Sequence, residues 1–298
     1  MIQNTDLVVK AIDEEKGILA HAAVTTKLVE EARRIHGCLP TAAAALGRML
    51  TAASMMGAML KEEGQIVTLQ VNGRGPASPI VAVADSKARV RGYIADPHAD
   101  PPLNAKGKLD VGAIVGRNGN LTVVKDLRLK EPYIGQVPLV SGEIAEDLTL
   151  YFARSEQVPS AVALGVLIHT DGSVKAAGGF IIQLLPEADD EAIDQLEKNL
   201  AEVKSVTELI KNGESPEELL TWVLKDFQLN FTSKIPASYF CGCNRERLER
   251  VVISLGREEI EDILKEKNEL ELTCNFCNKK YVFSRDEVME LLRRAEER

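Results

Sequence analysis

Aromatic residues and positive charge are both scarce in this chain, and the two shortages exclude the same class of function. Phe, Trp and Tyr supply only 4% of the 298 residues, and the formal net charge is −9. Base stacking requires clustered aromatic rings, and binding to a phosphate backbone requires a basic surface. We therefore expect no nucleic acid partner.

Motifs for enzymatic chemistry are missing as well. The chain has no G-x-S-x-G and no H-E-x-x-H motif, and its four histidines are not paired at the spacing of a metal site or a catalytic base. The glycine-rich stretch at residues 72–76 lacks the spacing and the following helix of a phosphate loop, so we interpret it as a turn. The expected protein is not an enzyme and binds no nucleotide.

Secretory and membrane-spanning patterns are absent too. Residues 1–6 contain neither the basic nor the apolar region of a secretory signal. The stretch that comes nearest to a membrane span, Thr41 to Leu60, carries Arg48 and is mostly Ala, Met, Thr and Gly, which predicts a buried helix. The expected location is the cytoplasm, where cysteines stay reduced, and no membrane partner is expected.

Cysteine is rare, but four of the five cysteines stand in two short clusters near the C-terminus. Cys241-Gly242-Cys243 is followed, after thirty residues, by Cys274-Asn275-Phe276-Cys277. Four thiolates form the soft tetrahedral shell that suits zinc, although the C-x-C pair and the long gap differ from a standard zinc ribbon. The sequence thus predicts a zinc site, while Cys38 is expected to be a buried, unreactive thiol.

The zinc site has two possible roles. It is a purely structural zinc knob, or it is a redox switch that binds metal when reduced and forms disulfides when oxidised. A disulfide within a C-x-C pair closes a small, strained ring and is easily reduced, which suits a switch. The residues by themselves leave both interpretations open.

Residues 1–185 alternate short strands with a few helices. Leu7–Ile12 and Ile18–Val24 flank a turn and predict a β-hairpin, and Asn118-Gly119, between residues 113–116 and 121–125, predicts another. The predicted strands outnumber the helices and pair with their sequence neighbours. The expected fold class is therefore α+β, with a mixed, largely antiparallel core domain over residues 1–185.

Residues 186–233 are predicted to form an acidic helical linker. Residues 187–226 hold twelve acidic and four basic side chains, a net charge of −8 that makes up nearly the whole imbalance of the chain. Apolar residues recur at helical intervals, and Ser215-Pro216-Glu217-Glu218 has the pattern of a capped helix start. Such short, self-repelling helices must dock against a neighbour, either as an ordinary helical hairpin or as a segment that folds only conditionally.

Residues 234–298 are predicted to form a small zinc-binding domain with three helices and a short strand at Tyr281-Val282-Phe283. A unit of roughly 65 residues has only marginal stability unless a metal or disulfides supplement its apolar core. Structural zinc contributes on the order of 10–16 kcal/mol, against about 5–15 kcal/mol for the stability of a whole protein. Removing the metal is therefore expected to unfold this domain.

These features resemble the heat shock protein 33 family, the 33 kDa chaperonins. The most specific part of the resemblance is the C-x-C pair, the gap of thirty residues and the distant C-x-x-C pair. The segments that carry the resemblance are Cys241–Arg247, Cys274–Cys277, Tyr281–Phe283, Arg91–Tyr93, Ser141–Asp147 and Ser155–Ser160. It thus covers nearly the whole chain.

The resemblance implies a redox-regulated molecular chaperone of the holdase type that binds unfolding proteins under oxidative stress. By position, Cys241, Cys243, Cys274 and Cys277 would bind one Zn²⁺ per chain in the reduced, inactive state. On oxidation they would form the disulfides Cys241–Cys243 and Cys274–Cys277, and zinc release and linker unfolding would activate the protein. The implied partners are unfolded or oxidatively damaged clients, and a homodimer is implied when the protein is oxidised. The family pattern assigns no role to Cys38.

Two other classes compete with this interpretation. A zinc-containing nucleic-acid-binding factor is disfavoured by the acidic charge and the few aromatic residues, and salt-dependent binding to DNA or RNA would favour it. A thiol oxidoreductase requires a C-x-x-C at the start of a helix, whereas a strand-like segment follows Cys277. Turnover of a disulfide substrate would favour that class.

Overall fold

The computed structural model describes residues 6–203, 205–255, 257–266 and 268–296. The chain divides into two compact units, Met1–Phe240 and Cys241–Arg298. The prediction that a secretory signal is absent depends mainly on residues 1–5, which lie outside the described residues. Within the described ranges, no helix combines the length and the apolar character needed to cross a membrane.

The first unit contains two sheets and the helices that pack on them. Its strands are β1 (Leu7–Asp13), β2 (Ile18–Val24), β3 (Ile66–Asn72), β4 (Ile80–Asp85), β5 (Arg89–Ile94), β6 (Asn120–Asp126), β7 (Tyr133–Pro138), β8 (Ser160–Ile168), β9 (Val174–Leu184), β10 (Asn230–Pro236) and β11 (Ser238–Tyr239). Its helices are α1 (Thr26–His36), α2 (Pro40–Ala58), α3 (Val111–Val115), α4 (Ala145–Tyr151), α5 (Asp190–Glu202), α6 (Val206–Lys211) and α7 (Pro216–Val223). A π-helical segment, Phe152–Glu156, continues α4.

A long buried helix, α2, packs against both sheets. The five-stranded sheet has the order β10-β1-β2-β9-β8 and is antiparallel throughout. The six-stranded sheet has the order β11-β5-β4-β3-β6-β7 and is antiparallel except for the parallel pair of β11 and β5. The alanines and methionines of α2 between Ala42 and Met56 are buried, on all sides of the helix. The α+β class and the buried helix predicted from the sequence are confirmed.

The hairpin predicted around Asn118-Gly119 is wrong. Residues 111–115 form the short helix α3, because the Asp110 carboxylate caps it by accepting a hydrogen bond from the Ala113 backbone N–H at 3.0 Å. β6 pairs with β3 and β7 instead. The Asn118-Gly119 dipeptide therefore lies in the connection from α3 to β6 and does not join two paired strands.

Residues 234–240, predicted from the sequence to belong to the zinc-binding domain, lie in the first unit. β10 runs across the predicted boundary at residue 233 because it pairs with β1, and β11 pairs with β5. β10 is largely exposed, so its sequence carries little apolar alternation. The boundary between the compact units falls between Phe240 and Cys241. A separate functional role for residues 186–233 stays a prediction.

The acidic segment docks on the face of the five-stranded sheet opposite α2. Apolar side chains of α5, α6 and α7 and of the sheet form one buried cluster. Its buried members are Leu196, Val206, Ile210, Leu219, Leu220, Val223 and Leu224 from the helical segment and Val9, Ala11, Ile18, Ala20, Ala22, Ala176, Phe180 and Ile182 from the sheet. The predicted need for a neighbour is confirmed, since burial of this apolar face opposes the like-charge repulsion of the helices.

Two glycines allow α6 to approach the sheet closely. A Cβ atom added at Gly178 of β9 would lie 2.5 Å from Ile210 Cδ1 of α6. A Cβ atom added at Gly165 of β8 would lie 2.5 Å from Thr207 Cγ2 of the same helix. Both distances are far shorter than van der Waals contact, so a larger residue at either position would clash with a side chain of α6.

A histidine is buried in β2, and we expect it to make the first unit less stable in acid. His21 is 2% exposed, and within the described ranges neither ring nitrogen has a hydrogen-bond partner. Burial, and then repulsion from Lys10, lowers the pKa of His21 from 6.5 to about 4. As the pH falls, His21 therefore binds a proton at a higher pH in the unfolded chain than in the folded chain. The free energy of unfolding should fall by about 3 kcal/mol as the pH drops from about 6.5 to below 4.

Denaturant unfolding at a series of pH values between 7 and 4 checks this prediction. In His21→Leu, the fall of about 3 kcal/mol in the free energy of unfolding should disappear. His169→Leu changes an exposed histidine and should leave this fall unchanged. If the wild type and His21→Leu lose stability equally over this range, His21 is not the group responsible.

Candidate metal centre

The described residues of the C-terminal unit form a β-hairpin and three helices. Its elements are α8 (Arg245–Leu255), α9 (Arg257–Glu266), β12 (Glu269–Thr273), β13 (Lys280–Ser284) and α10 (Arg285–Glu296). β12 and β13 are antiparallel, and β13 contains the strand predicted at Tyr281–Phe283. The small buried core comprises Val252, Ile260, Leu264, Leu270, Tyr281, Phe283, Val288 and Leu292. Seven partly buried residues pack against this core, and one of them is Cys243.

The turn of the hairpin carries Cys274 and Cys277. The Cys274 backbone N–H donates to the Lys279 carbonyl at 3.0 Å, and the Asn278 N–H donates to the Cys274 carbonyl at 2.8 Å. Asn278 has a φ of 56°, a left-handed conformation that asparagine tolerates better than most residues. The C-x-x-C pair therefore lies between two strands. A thioredoxin-like oxidoreductase requires this pair at the start of a helix instead.

The structure brings all four clustered cysteines together. The Sγ atoms of Cys241, Cys243, Cys274 and Cys277 lie within 4.8 Å of one another. The Sγ–Sγ distance is 3.7 Å between Cys241 and Cys274 and 3.4 Å between Cys243 and Cys277. Zn–S bonds of about 2.3 Å in a tetrahedron give S···S separations of about 3.8 Å. The cluster can therefore hold one metal ion, and its donor atoms and spacing fit zinc.

Negative charge is divided unequally within the cluster. Burial opposes ionisation of Cys243, but hydrogen bonds from Tyr281 and then from the neighbouring thiols outweigh burial and lower its pKa to about 7. The Tyr281 hydroxyl lies 3.2 Å from Cys243 Sγ. Burial raises the pKa of Cys241 and of Cys277. Of these three thiols, Cys243 therefore ionises most readily, and a bound cation would favour the thiolate form of the ligands.

Tyr281 and Arg245 support the cluster through contacts that the sequence does not reveal. The Arg245 guanidinium lies 4.3 Å from the centroid of the Phe283 ring, donates to the Val282 carbonyl at 3.1 Å and pairs with Glu287 at 2.7 Å. These contacts fasten the segment after Cys243 to β13 and α10. Only their position next to the cysteines could have suggested these roles, because neither residue type by itself indicates a metal site.

Cys38 lies in the first unit, apart from the cluster. Its side chain is 4% exposed, and burial raises its pKa to about 12. A thiol this resistant to ionisation reacts slowly with oxidants, because the thiolate is the reactive form. The predicted burial of Cys38 is confirmed, and its lack of reactivity stays a prediction.

Comparison with known proteins identifies the family. The family model described as Hsp33 protein matches residues 6–284. The chain belongs to the Hsp33 family. Among the curated relatives, the 33 kDa chaperonin of Clostridium acetobutylicum is 49% identical over 292 residues, which cover 98% of each chain. The 33 kDa chaperonin of Clostridium perfringens strain 13 is 50% identical over 293 residues, covering 98% of this chain and 92% of the relative.

A solved structure extends the Hsp33 assignment to the fold. The crystal structure of the 33 kDa chaperonin (heat shock protein 33 homolog) from Thermotoga maritima matches with a TM-score of 0.89 at 38% sequence identity. The match covers 99% of this chain and 100% of the other. The Hsp33 fold is therefore shared over nearly the whole length of the chain.

Proposed function

We propose that this Hsp33 family member is a redox-regulated holdase chaperone, inactive while its clustered cysteines are reduced and metal-bound, and active once they are oxidised. The observation that carries the proposal is the convergence of four sulfur atoms within 4.8 Å in a unit with a small apolar core. The name of its relatives, 33 kDa chaperonin, supports the chaperone class. No catalytic reaction is assigned to the chain.

Cys241, Cys243, Cys274 and Cys277 would hold one Zn²⁺ per chain in the reduced state. The bound ion would join the segment before α8 to the turn between β12 and β13 and would neutralise the thiolates. A structural zinc site contributes on the order of 10–16 kcal/mol, more than a core of this size supplies by itself. The C-terminal unit would therefore unfold when these cysteines cease to be ligands.

Oxidation of the cluster would remove the ligands. Each disulfide forms when two cysteine thiols give up two electrons and two protons to one molecule of hydrogen peroxide, which is reduced to two molecules of water. Disulfide sulfurs carry no thiolate charge, so the oxidised cluster would no longer bind the metal. We propose that the pairs formed are Cys241–Cys243 and Cys274–Cys277.

Disulfide mapping tests this pairing. Mass spectrometry of unreduced peptides from the peroxide-treated protein should find both disulfides within the clusters. The structure also identifies the competing pairs, because the Sγ–Sγ distance is 3.4 Å between Cys243 and Cys277 and 3.7 Å between Cys241 and Cys274. Disulfides that join the two clusters would therefore refute the proposed pairing. Cys38→Ser is the matched control and should give an unchanged map.

Client binding would depend on the linker. Leu196, Leu219 and Val223 are buried against the five-stranded sheet, while the acidic residues of the same helices repel one another. We propose that the linker unfolds together with the C-terminal unit and uncovers its own apolar side chains and the sheet beneath. Unfolded or oxidatively damaged proteins would bind to this surface, since large exposed apolar patches mark interaction sites.

The proposal includes a location and an assembly state. A reducing cytoplasm would keep the cluster metal-bound until an oxidant appears. Oxidised chains would associate as homodimers, and sedimentation of the reduced and oxidised protein can measure this. Nucleic acids and membranes are not expected as partners, in keeping with the acidic net charge of −9.

Suppression of aggregation tests the function itself. A heat-unfolding client protein is incubated with the zinc-loaded, reduced chain or with the peroxide-treated chain after catalase has removed the peroxide, and light scattering is followed. Only the peroxide-treated chain should keep the client soluble. Equal protection by the reduced, zinc-loaded chain would rule out redox control.

A further inference from the structure

Residues 237–240, here called the strap, close one edge of the six-stranded sheet. Within the strap, β11 pairs in parallel with β5, with Ser238 beside Arg89 and Tyr239 beside Val90. The Phe240 N–H donates to the Val90 carbonyl at 2.8 Å. A two-residue strand is too short to stay paired by itself, so other contacts must hold the strap in place.

The Tyr239 side chain provides the main additional contact. Its hydroxyl donates to the Gly92 carbonyl at 2.9 Å and accepts from the Gly92 N–H at 3.4 Å. His36 Nε2 lies 2.9 Å from the same carbonyl and 3.3 Å from the Tyr239 hydroxyl. The Arg89 guanidinium lies 4.7 Å from the centroid of the Phe240 ring. The strap, together with His36 of α1 at the Gly92 carbonyl, thus occupies the backbone groups of Val90 and Gly92 that a longer strand would pair with.

We propose that the edge of β5 is a strand-addition site for an extended segment of an unfolded client, and that the strap is its removable plug. The inference rests on the proposed function, because it requires the C-terminal unit to unfold on oxidation. Backbone N–H and C=O groups are common to all polypeptides, so such an edge binds clients irrespective of their sequence.

The strap also fills apolar space that a client strand could use. Ala237 is 7% exposed and belongs to the buried core of the first unit, and Tyr239 packs against that core. These residues stand two apart, which is the repeat of side chains on one face of a strand. Departure of the strap would therefore leave two apolar sockets at the spacing of alternate side chains in a bound segment.

The position of the strap explains how it would be released. Tyr239 stands two residues before Cys241, the first cysteine of the cluster. While the C-terminal unit is folded, the chain is fixed on one side of the strap by β10 and on the other by the cluster. After that unit unfolds, the strap adjoins a free chain and is held only by a two-residue pairing and its side chains. Segments held so weakly open readily.

The opposite edge of the same sheet provides an internal comparison. β7 is the last strand on that side, and its Tyr133 and Ile134 are exposed. β7 ends in Pro138, and proline is a common way to prevent an edge from pairing with another chain. β5 contains no proline. The β5 edge therefore suits regulated strand addition better than the β7 edge, which ends in proline.

Hydrogen exchange, followed residue by residue, tests the gating without a chaperone assay. The Phe240 and Gly92 amides should exchange about tenfold faster or more after peroxide treatment, while Leu69, in the central strand β3, should not change. Addition of a permanently unfolded protein should restore protection at Gly92 but not at Phe240. Unchanged protection of Phe240 in the oxidised chain, or no recovery at Gly92, would overturn the inference.

Two matched tyrosines separate the strap from a general loosening of the sheet. Tyr239→Phe removes the hydroxyl that binds Gly92, and Tyr133→Phe removes a hydroxyl that donates to the Ser155 carbonyl at 3.0 Å on the β7 edge. In the reduced, zinc-loaded chain, Tyr239→Phe should raise exchange at Gly92 severalfold, and Tyr133→Phe should not. Equal effects of the two variants would contradict a plug held by Tyr239.

Photo-crosslinking locates the client. A benzophenone amino acid is placed at Tyr93 of β5 or at Tyr133 of β7, and the chain is irradiated with an unfolded protein. Labelling of the client should rise about tenfold or more on oxidation at position 93 and should not rise at position 133. If the oxidised chain holds the client but position 93 stays unlabelled, the inference alone fails. If the oxidised chain holds no client, the proposed function fails with it.

Discussion

Cys274→Ser combined with Cys277→Ser is expected to abolish stoichiometric zinc binding. The two thiolates of the hairpin turn are half of the cluster, and Ser offers no soft ligand in their place. A structural zinc site contributes on the order of 10–16 kcal/mol, so loss of half of its ligands should weaken binding by about 5 kcal/mol or more, at least about a thousandfold. Zinc per chain, measured by mass spectrometry after gel filtration with a chelator, should fall from one to near zero.

The same variant should hold clients without an oxidant, because its C-terminal unit has lost the link between Cys241 and the hairpin. Cys38→Ser is the matched control, since Cys38 is buried in the first unit, and it should keep both its zinc and its oxidant dependence. Retention of one zinc per chain by the double variant would show that the ligands are wrongly assigned. Wild-type-like activation of that variant by peroxide would show that the switch lies elsewhere.

Leu220→Asp in α7 is expected to activate the chain without oxidation and without loss of zinc. Leu220 is 0% exposed in the cluster between the linker helices and the five-stranded sheet. An unpaired carboxylate there costs several kcal/mol, about 3–5 kcal/mol by comparison with broken buried ion pairs. That cost is enough to separate a short, acidic helix from the sheet. Aggregation suppression and zinc content should be measured on the same reduced sample.

Thr221→Asp is the control for the added charge. Thr221 is the next residue in α7 and is exposed, so the same carboxylate remains hydrated and the linker should stay docked. Limited proteolysis should cut the linker of Leu220→Asp and spare that of Thr221→Asp. If both reduced variants are inactive, undocking of the linker is insufficient for client binding.

The two pairs of variants act on different steps of the same process. The cysteine variant removes the metal and leaves the linker sequence unchanged, whereas Leu220→Asp leaves the four sulfur ligands unchanged. Activity in both would place the linker after the metal in the order of events. Activity in the cysteine variant alone would place the client surface outside the cluster formed by α5, α6, α7 and the sheet.

The candidate site could be predicted from the sequence because its information is local. Thiols spaced as C-x-C and C-x-x-C can converge only if the thirty residues between them fold back, and the structure brings all four sulfurs within 4.8 Å. The strand at Tyr281–Phe283 was predictable for the same reason, since its alternation directly follows a turn. The Tyr281 hydroxyl at Cys243 could not be predicted, because it depends on the distance between segments far apart in the chain.

The fold was predictable where burial imposes a pattern on the sequence. α2 is buried on nearly all sides and is therefore made mostly of Ala, Met and Leu, and the strands of the first hairpin flank a clear turn. β10 could not be predicted, because an exposed edge strand needs no apolar alternation and is defined by its partner β1. α3 could not be predicted, because its five residues, four of them apolar, show no period, and capping by Asp110 makes them a helix.

That the linker docks could be predicted from the sequence, but the surface on which it docks could not. Like charge and short length required that the helices pack against a neighbour, whereas the identity of that neighbour depends on tertiary contacts. Gly165 and Gly178 mark where α6 approaches the sheet, but a glycine in a strand is compatible with several structures. The strap could not be predicted for a similar reason. Its Tyr239 hydroxyl donates a hydrogen bond to the Gly92 carbonyl, and a backbone group leaves no mark in the sequence.

The central claim is that metal release from the four cysteines and client binding are one event, and a single oxidation series tests it. Samples of the zinc-loaded chain are treated with increasing hydrogen peroxide, and released zinc and suppression of client aggregation are measured on each sample. The two should rise together and reach completion at one zinc per chain. Full suppression of aggregation by the reduced chain, with all of its zinc still bound, would contradict the claim.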